Sequence, residues 1–159
     1  MFISRIIHAV VVFFVTFAAH QGNAAAQVNL GSGFALGHFG APDLIKAREW
    51  LEKAAAQGHS KAQFLLLTMG AERGDAEAQV NLGWLYMIGD GVPQDEVIAR
   101  YWWEKAAAQG NAAAEFKLGV LSTPSLKSVP RDFTEALEWY KKAAAHGNVN
   151  AQESIDMIM

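Results

Sequence analysis

The chain reads as an all-α solenoid of antiparallel helix pairs, and three observations predict it. A six-residue word is copied: Ala-Gln-Val-Asn-Leu-Gly stands at 26–31 and again at 78–83, with Ala114-Glu115-Phe116-Lys117-Leu118-Gly119 as a third version. A second block, Ala106-Ala107-Ala108-Gln109-Gly110, recurs at 54–58 and, with His146 for the glutamine, at 143–147. The closing glycines Gly22, Gly58, Gly74, Gly110 and Gly147 step by 36, 16, 36 and 37 residues, and a period in the thirties is the signature of stacked helical repeats.

The first 26 residues are expected to be a secretory signal rather than part of the fold. Arg5 precedes the apolar run Ile6 to Ala19, and Ala24-Ala25-Ala26 offers the small residues that a signal peptidase reads. Cutting after Ala26 removes one basic residue and moves the formal charge from -3 to -4. The expected location is then periplasmic or secreted. The alternative is an inner-membrane anchor, should the run stay uncleaved, although 14 apolar residues fall short of the roughly 20 that a spanning helix uses.

From residue 27 to 159 the chain divides into units of about 22–58, a partial 59–74, 75–110, 111–147 and a half unit 148–159. In the central unit Ala78, Leu82, Leu85 and Tyr86 mark one face of a first helix, and Ile98, Trp102 and Ala106 mark one face of a second. Helix starts are signalled by Asp75, Asn111 and Asn148 directly after glycine, and by Asp43, Asp95 and Asp132 before the second helices. Asp132 with Glu135 also has capping-box spacing. Gly58, Gly110 and Gly147 are expected as left-handed helix terminators.

The string Leu82-Gly83-x-x-Tyr86-x-x-Gly89-x-Gly91-Val92-x-x-Asp95, followed by Ala99-x-x-Trp102-Trp103-x-Lys105-Ala106-Ala107-x-x-Gly110, closely resembles the Sel-1-like repeat, a relative of the tetratricopeptide repeat. With its copies the resemblance covers nearly all of residues 22–159. It implies a right-handed α/α superhelix and a role in binding other proteins, often as an exported adaptor in bacterial signalling or host contact. The expected function is therefore a non-enzymatic envelope adaptor whose partner is a protein or peptide.

Three departures from the repeat matter. In the first unit Phe39-Gly40 stand where the central copy has Gly91-Val92, and its first helix is expected to fray after processing. In the third, Ser122 replaces Tyr86, and the loop Thr123 to Arg131 carries Pro124, Pro130 and one extra residue, so its first helix should stop near Leu121. Between Gly58 and Gly74 there is room only for a lone helix, Lys61 to Arg73, with Leu65, Leu66, Leu67 and Met69 as a wide apolar face. The half unit after Gly147 ends in Ile155, Met157, Ile158 and Met159, apolar enough for a homo-oligomeric contact to be expected there.

Chemistry is weakly signalled. With no cysteine, thiolate ligands, disulfides and a cysteine nucleophile are excluded. No basic cluster marks a nucleic-acid surface. His38, His59 and His146 sit beside turn glycines without metal-ligand spacing and are expected to be solvated. Asp90 and Asp95 are explained as turn and cap residues rather than calcium ligands. No cofactor is expected. The competing reading is an envelope enzyme or cell-wall-binding protein of β-lactamase or penicillin-binding type, as in cysteine-rich relatives, but no serine here has lysine three residues later.

The aromatics carry the remaining content. Trp50, Trp102 and Trp139 are equivalent, as are Leu51, Trp103 and Tyr140, and a ladder of such side chains supplies inter-repeat packing. Only one of each adjacent pair faces fully inward. Gly31, Gly83 and Gly119 repeat inside helices, where glycine is costly, so a neighbouring helix is expected close by, with Ala106 and Ala107 as its surface. Trp84 replaces Ser32 and Val120 at its position, and Val80, Trp84 and Met87 are expected off the buried face. Asn29, Asn81, Trp84 and Lys117 are therefore the expected protein-binding groove.

Overall fold

The computed structural model describes residues 2–124 and 132–159, with side chains from Val10 onward. The expected third-unit loop lies largely in 125–131, outside the described residues. The described residues form nine helices and no strand: α1 (Phe2–His20), α2 (Ala24–Ala35), α3 (Leu44–Ala56), α4 (Ser60–Glu72), α5 (Ala76–Ile88), α6 (Glu96–Ala107), α7 (Ala112–Leu121), α8 (Thr134–Ala145) and α9 (Val149–Ile158). They group into two compact units, Met1–Leu66 and Leu67–Met159, so the division falls inside α4. Among the described residues no helix is long and apolar enough to cross a membrane.

Local chemistry sets the helix ends. Gly74, Gly110 and Gly147 have φ of 94°, 76° and 89°, a conformation glycine adopts without a Cβ clash. The next residue then caps: Asp75 accepts from Ala78 N at 3.1 Å, Asn111 from Ala114 N at 3.0 Å, and Asn148 from Ala151 N at 3.2 Å. Asn23 after Gly22 does the same for Ala26 N at 2.9 Å, a cap that sequence reasoning missed. Asp43 and Asp95 cap α3 and α6 as expected. Asp132 does not cap α8. Its carboxylate takes Thr134 N and Oγ1 instead, and Glu135 turns to Arg100 at 3.0 Å rather than back along its own helix. The two Thr134 hydrogen bonds pull the Asp132 pKa below its ordinary value.

In the first unit α2 packs on both α1 and α3. Ala19, Ala26 and Leu30 form its core with Phe34 and Trp50 against them. Gln27 is buried, and both ends of its amide are used: Nε2 donates to Ala19 O at 3.0 Å and Oε1 accepts from Gln57 Nε2 at 2.8 Å. The cut expected after Ala26 would fall three residues into α2, taking its cap and the Ala19 carbonyl with it.

The lone helix α4 has a mixed character. Gln63, which aligns with Gln27, is exposed, so the start of α4 does not repeat the first-helix pattern. Its last turn resembles the end of a second helix: Ala71 is buried and its carbonyl accepts from Gln79 Nε2 at 2.9 Å, as Ala19 O does from Gln27. Leu65, Leu66, Leu67 and Met69 are half-buried.

In the second unit each helix from α5 to α9 packs on the next. Val80, Ala99, Trp103, Ala106, Ala107, Ala114 and Leu118 form one core cluster; Ala136, Tyr140, Ala143, Ala151 and Ile155 form another. Val80 is thus buried, against expectation. The inward face of α6 is also rotated by one residue: Ala99, Trp103 and Ala106 are buried, whereas Ile98 and Trp102 are half-buried. The repeated glycines explain the rotation. A Cβ on Gly83 would stand 2.5 Å from Trp103 Nε1 and 3.0 Å from Ala99 O, and one on Gly119 would stand 2.6 Å from Tyr140 Cε1. In the first unit a Cβ on Gly31 would stand 2.8 Å from Leu51 Cγ. Each helix-interior glycine is therefore a slot for the second residue of the pair on the following helix. The surface facing Gly83 is Trp103 with the Ala99 carbonyl, not Ala106 and Ala107.

Candidate groove at Trp84 and Lys117

The slot at Gly83 also shapes the surface above it. Trp103, 2% exposed, is fixed by its indole N–H donating to Val80 O at 3.1 Å. With the ring held there, α5, α6 and α7 leave a groove of about 370 Å³, lined by Trp84 and Met87, Glu96 and Trp103, and Phe116, Lys117, Val120 and Leu121 in turn. Trp84 is 46% exposed and Val120 52%, so apolar surface faces solvent where two neighbouring helices meet. Lys117 Nζ lies 4.3 Å from the Trp84 ring centroid and 5.6 Å from that of Trp103, within range of cation–π attraction. Burial alone lowers the Lys117 pKa from its ordinary value. No described carboxylate forms an ion pair with it; the described pairs use Lys46, Arg48, Arg100 and His146.

Of the four residues expected in the groove, the structure brings Trp84 and Lys117 together. Asn81 is exposed on α5 but does not line the groove, and Asn29 is exposed on α2 in the other unit. Sequence reasoning missed the apolar floor of Phe116 and Leu121 and the acidic rim at Glu96. Leu121 lies one helical turn beyond Lys117, but spacing along α7 alone does not say which of its faces borders the groove, and Glu96 carried no signal.

The repeat residues divide by role. Gly31, Gly83 and Gly119 receive Leu51, Trp103 and Tyr140. Trp50, Trp102 and Trp139 are half-buried, and Lys53 and Lys142 sit over Trp50 and Trp139 at 4.1 and 4.3 Å. Gly58, Gly110 and Gly147 all take positive φ at helix ends.

One buried position changes chemistry along the chain. Gln79 repeats the arrangement of Gln27, accepting from Gln109 Nε2 at 2.9 Å. In the next unit Glu115 stands at this position, 2% exposed, and His146 replaces the glutamine partner, its Nδ1 2.8 Å from Glu115 Oε2. His146 is exposed at its turn, as expected, but it is also the partner of a buried carboxylate, which the sequence reading did not foresee. Removing it strands the carboxylate, so His146→Ala is expected to destabilise by about 1–3 kcal/mol. Chemical denaturation measures this, and a loss below about 0.5 kcal/mol would show that water replaces the imidazole freely. Among the described residues no three His, Asp or Glu side chains converge as metal ligands. The groove offers an apolar surface and one cation, an arrangement suited to holding a ligand.

The Sel1 repeat profile matches residues 24–59, 76–111 and 112–148. Chitin synthase regulatory factor 4 of Schizosaccharomyces pombe is 31% identical over 105 residues, which is 65% of this chain and 14% of that protein. A protective antigen present in uropathogenic Escherichia coli strains, displaying an SLR fold, is 31% identical with a TM-score of 0.50, over 91% of this chain and 35% of the antigen. A Sel1 repeat protein from Oxalobacter formigenes is 32% identical with a TM-score of 0.48, over 91% of this chain and 96% of the other. The chain thus spans about a seventh of the fungal relative and about a third of the antigen.

Proposed function

Because this chain belongs to the Sel1 repeat family, we propose that it is a non-enzymatic adaptor of the bacterial envelope, exported by its N-terminal apolar segment, that binds a protein or peptide in the groove between α5, α6 and α7. Sel1 repeat proteins are generally protein-interaction modules, and the likeness to a regulatory factor agrees with a role without chemistry of its own. The observation that carries the reading is Trp84. A tryptophan left 46% exposed, where the other copies have Ser32 and Val120, adds little to packing and offers the large rigid contact area that interface hot spots use. Export rests on the run Ile6 to Ala19 behind Arg5.

A photo-crosslinking residue at position 84, compared with one at exposed Glu138 on α8, tests the binding reading in cells. The expected result is a discrete adduct from position 84 that is absent from 138. Equal labelling from both positions would overturn it. Cell fractionation of the same samples tests export, and a purely cytoplasmic pool would overturn that part.

A further inference from the structure

We propose that the groove selects a segment carrying one carboxylate beside a bulky apolar side chain, the carboxylate pairing with Lys117 and the apolar group covering Trp84 and Phe116. This rests on the reading of the groove as a binding site and names its ligand. Three observations carry it. The Lys117 ammonium is held against two indole faces rather than in open solvent, 4.3 Å from Trp84 and 5.6 Å from Trp103. No described carboxylate pairs with it, and the lowered pKa agrees with a half-buried cation that burial partly desolvates without a compensating anion. Such a group gains most from a ligand that supplies the missing negative charge inside the same apolar enclosure. Apart from Glu96 on the rim, the remaining lining is Met87, Phe116, Val120 and Leu121, which matches an apolar group beside the carboxylate.

Glu96 sharpens the choice. It lies on the rim of the same groove, so a second acidic group on the ligand meets a like charge there. A single acid next to an apolar side chain fits, and a run of acids does not. The formal charge of the chain is -3, which gives an acidic partner no long-range attraction. The preference must therefore come from contact with Lys117, and one substitution should remove it.

The test uses the full chain and three capped ten-residue peptides, followed by calorimetry and tryptophan fluorescence. One has a central Asp-Leu-Phe, one replaces only that aspartate by asparagine, and one is deca-glutamate. The expected result is that the aspartate peptide binds roughly ten-fold more tightly than its asparagine counterpart, and that deca-glutamate binds more weakly than the aspartate peptide. Lys117→Gln should erase the difference between the first two peptides, and Lys117→Arg should keep it. Trp84→Ala should weaken both. Equal binding of the aspartate and asparagine peptides, a preference that survives Lys117→Gln, tighter binding of deca-glutamate, or binding of none of the three would overturn the proposal. If the two central peptides bind equally and Trp84→Ala weakens both, the groove stands and only the ligand class falls. If Trp84→Ala changes neither, the groove reading falls as well.

Discussion

Trp103→Ala is expected to lower stability by about 3–5 kcal/mol, the range for removing a buried aromatic side chain. Trp103 is 2% exposed at the centre of the larger core cluster of the second unit, among Ala99, Ala106 and Leu118. Its truncation leaves a cavity beside Gly83 and also deprives Val80 O of the indole N–H that donates to it at 3.1 Å. Ala99, Ala106, Ala107 and Ala114 in the same cluster are too short to reach across the gap. Urea denaturation measures the loss. A value under about 1 kcal/mol would mean that the helices collapse onto the space, and that the ring is not the element holding α5 against α6.

The second large effect comes from the other side of the same contact. Gly83→Leu is expected to destabilise by about 1–3 kcal/mol through overpacking. Even a bare Cβ would stand 2.5 Å from Trp103 Nε1 and 3.0 Å from the Ala99 carbonyl, and backbone cannot rotate away as a side chain can. Alanine is informative because it separates two opposing terms. In an open helix Gly→Ala gains roughly 1 kcal/mol, so Gly83→Ala losing stability would isolate the steric cost. The two sites also touch, so their effects should not add. In the double variant the leucine occupies part of the volume that the indole leaves, and the combined loss should be smaller than the sum. An unchanged melting temperature for Gly83→Leu would show that no such slot constrains the helix pair.

Much of the fold was legible because its signals are local. Asp75, Asn111 and Asn148 follow glycines that must take positive φ, and each pair specifies a helix end without reference to anything distant. Trp102 and Trp103 were harder. Both are large and apolar, they lie about 100° apart on the helix, and periodicity alone does not choose between them. The choice is made by Gly83 on the preceding helix, so it becomes visible only when the two helices are read together. The same holds for His146. Beside a turn glycine it is solvated as it looks, but its partner shows only when Gln79 with Gln109 and Glu115 with His146 are read as a paired change at matching positions. Asp132 misled for a different reason: its capping spacing is real, but Arg100, 35 residues away in sequence, takes Glu135.

The site was half legible. Trp84 stood out as a departure from the other copies, and the structure puts the Lys117 ammonium over its ring. Asn29 and Asn81 were expected there as first-helix residues, but neither lines the groove. Phe116, Leu121 and Glu96 line it only through the packing of α6 on α5 and α7, which no single-helix pattern specifies.

Under the proposed function the two tryptophans of one groove have separate roles, Trp103 holding the repeat together and Trp84 meeting the partner. The most direct measurement is the urea denaturation of Trp84→Ala beside that of Trp103→Ala, with binding of the aspartate peptide measured on the folded Trp84 variant. The prediction is that Trp84→Ala loses no more than about 1 kcal/mol, the scale of a half-exposed ring and its cation–π contact, while its binding falls. A Trp84→Ala variant that unfolds as early as Trp103→Ala, or that binds as tightly as the parent chain, would contradict it.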